Sequence, residues 1–85
     1  MTNVYVVMKE DTFINDANRI TESHEIYGVF NKHEDAKEAV DFAANTRVKH
    51  DANTQIVIDE PNMVVINYGT EKNVTRWIIN RTALV

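Results

Sequence analysis

Five short stretches of this chain are rich in apolar and β-branched residues, one of them nearly continuously apolar, and read as strands; in one longer stretch apolar residues recur at the helical period. Val4-Tyr5-Val6-Val7-Met8 predicts a strand over residues 3–8 or 9, with Val4, Val6 and Met8 on one face and Tyr5 and Val7 on the other. Residues 24–30 predict a second strand, with Ile26, Gly28 and Phe30 on one face and Tyr27 and Val29 on the other. A glycine inside a strand marks a bulge or a close approach by another element, here the following helix. Asn31 suits an N-cap, with Glu34 as its capping-box partner. Ala36, Ala39, Val40 and Ala43 then share one stripe, and the helix runs to Ala44 before a polar exit at Asn45-Thr46. These small residues imply a helix lying close to a sheet. Phe42, beside the stripe, is expected to cover a sheet edge.

The second half reads as β throughout. A short strand over 55–58 precedes a turn at Asp59-Glu60-Pro61-Asn62. The next strand, 63–68, places Val64, Ile66 and Tyr68 on one face. After a turn at Gly69-Thr70-Glu71-Lys72-Asn73, a strand over 74–80 sets Thr75, Trp77 and Ile79 opposite Val74, Arg76 and Ile78; residues 81–85 either continue it or trail. Residues 10–22 read as a polar connection, long for a hairpin, in which Phe13-Ile14 either packs on the core or forms a contact tip. The expected fold is α+β, in element order β-β-α-β-β-β: an antiparallel sheet of four to five strands with one helix packed on one face, in a single domain over 1–85.

Composition narrows the chemistry. The 85 residues include no cysteine, which excludes disulfides, thiolate catalysis and thiolate metal sites. The net charge of −4 is uneven: residues 1–45 hold nine acids and four bases, residues 46–85 four acids and five bases. With no basic footprint, direct nucleic-acid binding is not expected. Lys9-Glu10-Asp11 cuts the first apolar run, and no stretch nears the roughly 20 apolar residues of a membrane span. A cytoplasmic protein without a signal peptide is therefore expected.

The candidate catalytic groups fall away on spacing. Ser23 and His24 are neighbours on a strand and so face opposite ways, which forbids a dyad. His24, His33 and His50 lack the spacing of metal ligands. Glu34 and Glu38 are one helical turn apart but read as solvated acids. Gly28 and Gly69 make no phosphate loop. No catalytic residue, metal or cofactor is expected. What remains is the interleaving of Tyr68, Lys72, Arg76, Trp77 and Arg81. Aromatic and cationic groups together suit base stacking or protein anchoring, although Trp77 also reads as core. Glu34, Glu38 and Asp41 would form an electrostatic rim. Strands 63–68 and 74–79 are apolar enough to pair with another chain at an exposed edge.

The run Val4-Tyr5-Val6-Val7, then Ile26-Tyr27-Gly28-Val29-Phe30, then Ala36-Lys37-Glu38-Ala39 resembles a pattern in short proteins of phages and Gram-positive bacteria: a VYVV strand, a GVF strand and an AxxA helix. The resemblance covers residues 1–45 and implies a fold without an agreed activity, so no functional residue transfers. Ten Asn and eight Thr are similar to the composition of proteins from AT-rich genomes. The expected function is a non-enzymatic, phage-encoded binding protein that inhibits or modulates a host protein or complex, for example a defence component. Trp77, Arg76, Tyr68 and Arg81 would be its anchors and Glu34, Glu38 and Asp41 its rim, in a chain that also homodimerises. One alternative is a protein that sequesters a small molecule or nucleotide signal at an oligomer interface, with Arg76, Arg81 and Trp77 holding phosphate and base. The other is a small enzyme acting through His24.

Overall fold

A computed structural model describes residues 2–14, 17–68 and 73–84. Along the chain run β1 (Thr2–Ile14), β2 (Ile20–Phe30), α1 (His33–His50), β3 (Gln55–Glu60), β4 (Met63–Tyr68) and β5 (Asn73–Leu84). The strands form one antiparallel sheet in the order β2-β1-β5-β4-β3. This is the expected α+β architecture. Helix α1 carries the chain from one edge strand, β2, to the other, β3. Strand β5 then returns to the middle and pairs along β1 from Thr2↔Leu84 to Thr12↔Val74.

Period two decides which side chains meet the helix. Val7, Ile79, Trp77, Val64 and Ile66 point to one face and pack with Ala36, Val40 and Ala44 of α1. Val7, Ile66 and all three helix residues are fully buried. Alanine at two of these helix positions lets the backbone settle close to the sheet, which fits a molecule 16 Å thick along its shortest axis. The expected face assignments for β1, β4 and β5 all hold in this arrangement.

Several boundaries and contacts differ from expectation. The connection over 10–22 is mostly ladder: β1 and β2 pair out to Ile14↔Ile20, leaving a short tip. Asn18 there has φ 57°, a left-handed conformation that Asn tolerates. Phe13 lies on the strand, 41% exposed, and meets Tyr68 edge-on at 6.1 Å. Strands β3 and β5 extend past residues 58 and 80. The turn expected at residues 69–73 lies mostly outside the described residues.

The helix does not use Asn31 as its cap. Lys32 holds that place without a side-chain cap bond, so the Asn31/Glu34 box is absent. At the other end α1 continues six residues beyond Ala44, to His50. Asn45 Nδ2 donates to the Asp41 carbonyl and Thr46 Oγ1 to the Phe42 carbonyl, so both side chains bond back into the helix. Arg47, Lys49 and His50 then suit the negative helix end.

Gly28 answers a neighbour on its own strand. A Cβ there would stand 2.8 Å from the Phe30 ring, not against the helix. The ladder shifts register at this point: Val7 faces Gly28 and Met8 faces Ile26, so Tyr27 is the extra residue of a bulge. Ile26 is thereby turned to the face opposite Gly28 and Phe30, where strict alternation had put all three together.

Ile66→Ala, which empties a fully buried site under α1, is expected to cost ~2–5 kcal/mol. Gly28→Ala, which must displace the Phe30 ring, is expected to cost ~1–3 kcal/mol. Urea unfolding followed by fluorescence of the buried Trp77 measures both; a shift of either midpoint within error of the parent contradicts this packing.

Candidate functional site

The sheet presents two chemically distinct surfaces. On the helix side, the bulge in β2 and the flank of α1 leave a groove of about 250 Å³, lined by Lys9, Tyr27, Phe42, Ala43, Arg47 and Trp77. Phe42 projects from the helix and is 73% exposed, so it covers no sheet edge. Tyr27, 42% exposed, stands edge-on to Trp77 with centroids 6.4 Å apart. Trp77 itself is 1% exposed, and its indole N–H has no acceptor among the described residues.

Charges frame this groove. Lys9 lies 3.8 Å from Asp11 and 3.7 Å from Glu25. Arg47 stacks over the half-buried Tyr68 ring at 4.7 Å, a cation–π contact. Asp11 also accepts a 2.5 Å hydrogen bond from the buried Thr75 hydroxyl. Farther along α1, Lys37 donates to Asp41 at 2.5 Å and to Asp59 at 2.7 Å, pinning the helix to β3. Desolvation pulls the Lys37 ammonium down, but the hydrogen bonds to Asp41 and Asp59 outweigh it and hold its pKa above the ordinary value.

The opposite face of the sheet carries no helix. Its polar centre is Glu10, flanked by Arg76 and His24 on the neighbouring strands. Arg76 Nε donates to Glu10 Oε2 at 2.7 Å and its terminal nitrogen reaches the same oxygen, while His24 Nδ1 lies 3.3 Å from Oε1. The hydrogen bond from Arg76 holds the Glu10 carboxyl below the ordinary carboxylate range. Beside this cluster is a hollow of about 340 Å³ against Ile58, Met63, Val65 and Val74.

The residues singled out from the sequence do not assemble into one site. Trp77 is a core residue that reaches only the floor of the groove, so it is not an exposed anchor. Arg76 is its neighbour on β5 and so points to the other face. Tyr68 lies under Arg47, and Arg81 is exposed opposite Tyr5, several residues along β5 from Trp77. Within one protomer Arg76, Arg81 and Trp77 therefore do not converge on a ligand. Glu34 and Glu38 are exposed on α1 in line with Phe42, whereas Asp41 is taken up by Lys37. Strands β4 and β5 are interior, so the exposed edges belong to β2 and β3 instead.

Sequence reading missed Tyr27, Lys9 and Arg47 as groove residues. The spacing of Glu34, Glu38 and Phe42, four residues apart each time, was the available signal for the helix side of the groove. Among the described residues no three His, Asp or Glu side chains gather to hold a metal ion, and no helix is long and apolar enough to cross a membrane. No protein-family model, curated protein or solved structure matches the chain.

Because the Glu10 pKa is lowered by folding, its contribution is present above its ordinary value of 4.5 and is lost as pH falls through the lowered value. Glu10→Gln is expected to cost ~0.2–1 kcal/mol at neutral pH, as a partly exposed ion pair should. The difference from the parent should vanish on acidification below the Glu10 pKa. Paired urea titrations across this range check it; a gap that stays constant with pH contradicts the assignment.

Proposed function

We propose that this protein acts by binding another protein, with the groove between α1 and β2 as its contact site. The observation that carries this reading is the exposure of Phe42 beside Tyr27, over an apolar floor formed by Ala43 and Trp77. Aromatic groups around a desolvated pocket are the usual anchors of protein interfaces. The bound protein would place an apolar side chain in the groove. Its flanking basic groups would face Glu34 and Glu38, which continue the line of Phe42 along the helix. Asp41 belongs to the rim only through its bond to Lys37.

The reading is non-enzymatic. Ser23 and His24 alternate across β2, and the His24–Glu10 pair faces the other side of the sheet from the groove. The resemblance over residues 1–45 supports a phage or Gram-positive bacterial origin only; inhibition or modulation of a host macromolecule in the host cytoplasm is the role we attach to the groove contact.

Affinity capture from a Gram-positive host lysate tests the proposal. The parent is expected to retain a stoichiometric protein partner. Phe42→Asp, at a site too exposed to matter for folding, should reduce that capture by at least ~10-fold. Absence of a partner where a control bait succeeds, or undiminished capture by the variant, overturns the groove as the contact site.

A further inference from the structure

The helix-free face of the sheet is as apolar as the face that α1 covers. The ladder registers place the partly exposed Val6 and Met8 of β1 beside Ile26 and Val29 of β2 and Ile78 of β5, with Met63 of β4 continuing the patch; Val4 and Val65, on the same face, are already buried in the protomer. An antiparallel sheet with one solvated face ordinarily alternates apolar-in and polar-out. Here the pattern reads apolar on both sides along the middle strands. Ile26 is 64% exposed and Val29 58%, and the bulge at Tyr27 is what turns Ile26 to this side.

We infer that this face is a homodimer interface, formed by stacking the open sheet of one copy on that of a second. Area supports this occupant. Strands of 13, 11, 6, 6 and 12 residues, at ~3.3 Å rise and ~4.8 Å spacing, present a whole face of about 750 Å², of which the apolar patch is the centre and the polar arms of β1 and β2 the rim. A standard protein–protein interface takes about 800 Å² from each partner. Face-to-face packing of two sheets, about 10 Å apart and rotated by about 30°, would bury the patch as the core of a sandwich.

Charge selects a second copy over an oppositely charged partner. The chain carries −4 overall, yet the charged pair at the centre of this face, Glu10 and Arg76, is neutral as a unit. Glu22 and Glu60 lie at the margins, opposite Thr12 and Met63. Two copies can therefore meet here without opposing fixed charges at the centre. A two-fold axis beside the ion pair sets each Glu10 against the Arg76 of the second copy, which is the self-complementarity an isologous interface requires. The acids of α1, Glu34, Glu38 and Asp41, stay on the outer surfaces. The groove holding Phe42 also stays free, so this interface is independent of the contact site proposed above.

Sedimentation velocity of the full chain from ~1 to ~200 μM spans the affinities expected of a standard-size interface. The parent is expected to form a dimer within this range. Ile26→Glu, at a position already exposed in the protomer, should weaken the dimer by at least ~30-fold, as removal of a central contact does, with the far-UV spectrum unchanged. Ile78→Lys provides a second variant on the same face. Val57→Glu, on the exposed β3 edge, should leave the dimer intact. A parent that stays monomeric at ~200 μM, or a dimer that survives both Ile26→Glu and Ile78→Lys whatever Val57→Glu does, overturns the assignment.

Discussion

The ladder between β1 and β5 holds this fold together. On one side of it is the β1–β2 hairpin, on the other the β3–β4–β5 meander, and among the described strands no other hydrogen-bonded seam joins the two halves. The seam is built from residues more than sixty positions apart, so its formation requires closure of most of the chain. Loop closure of that length is an entropic cost met before the long-range contacts return anything. Helix α1 offsets it by packing across the seam. Val7 from β1 and Ile79 and Trp77 from β5 meet Ala36, Val40 and Ala44, so the helix covers both strands at once.

The two faces of the seam divide the work of the molecule. On the helix side, the buried Thr75 hydroxyl donates to Asp11, and the Lys37 bridge to Asp41 and Asp59 fixes how the helix lies over β3. The groove opens where that cover stops short of the bulged β2. On the other side the sheet has no cover of its own, and the Glu10–Arg76 pair is the fixed charge at its middle. A five-stranded sheet with one 18-residue helix has one face that no helix covers. That uncovered face is the basis of the proposed association.

Much of the architecture was legible because the core strands obey period two. Within each strand, Val64 could be grouped with Ile66, Trp77 with Ile79, and Val7 set apart from Val4, Val6 and Met8 from position alone; that these groups share one face is set by the ladder registers. The long arms of β1 and β2 were not legible. Residues 9–12 and 21–25 are nearly all polar because no helix covers that end of the hairpin, so alternation leaves no trace there. The helix end was misread because Asn45 and Thr46 resemble stop signals, yet both bond to carbonyls four residues back. The candidate site fared less well, for a reason already present in the strand period. Arg76 and Trp77 are adjacent, and adjacent strand residues cannot share a site. The Glu10–His24–Arg76 cluster depends on the registers of two ladders, which no local pattern encodes. The groove depends on a bulge at Tyr27, which Gly28 hinted at without specifying.

The opposition of Thr2 and Leu84 has a mechanical consequence. Whatever chain precedes β1 and follows β5 leaves from the same end of two neighbouring interior strands. Tension between those two points would peel the strands apart one rung after another, loading each hydrogen bond in turn instead of shearing the whole row together. Such a seam yields at low force from that end while resisting the same pull applied lengthwise along β1 and β5 from opposite ends.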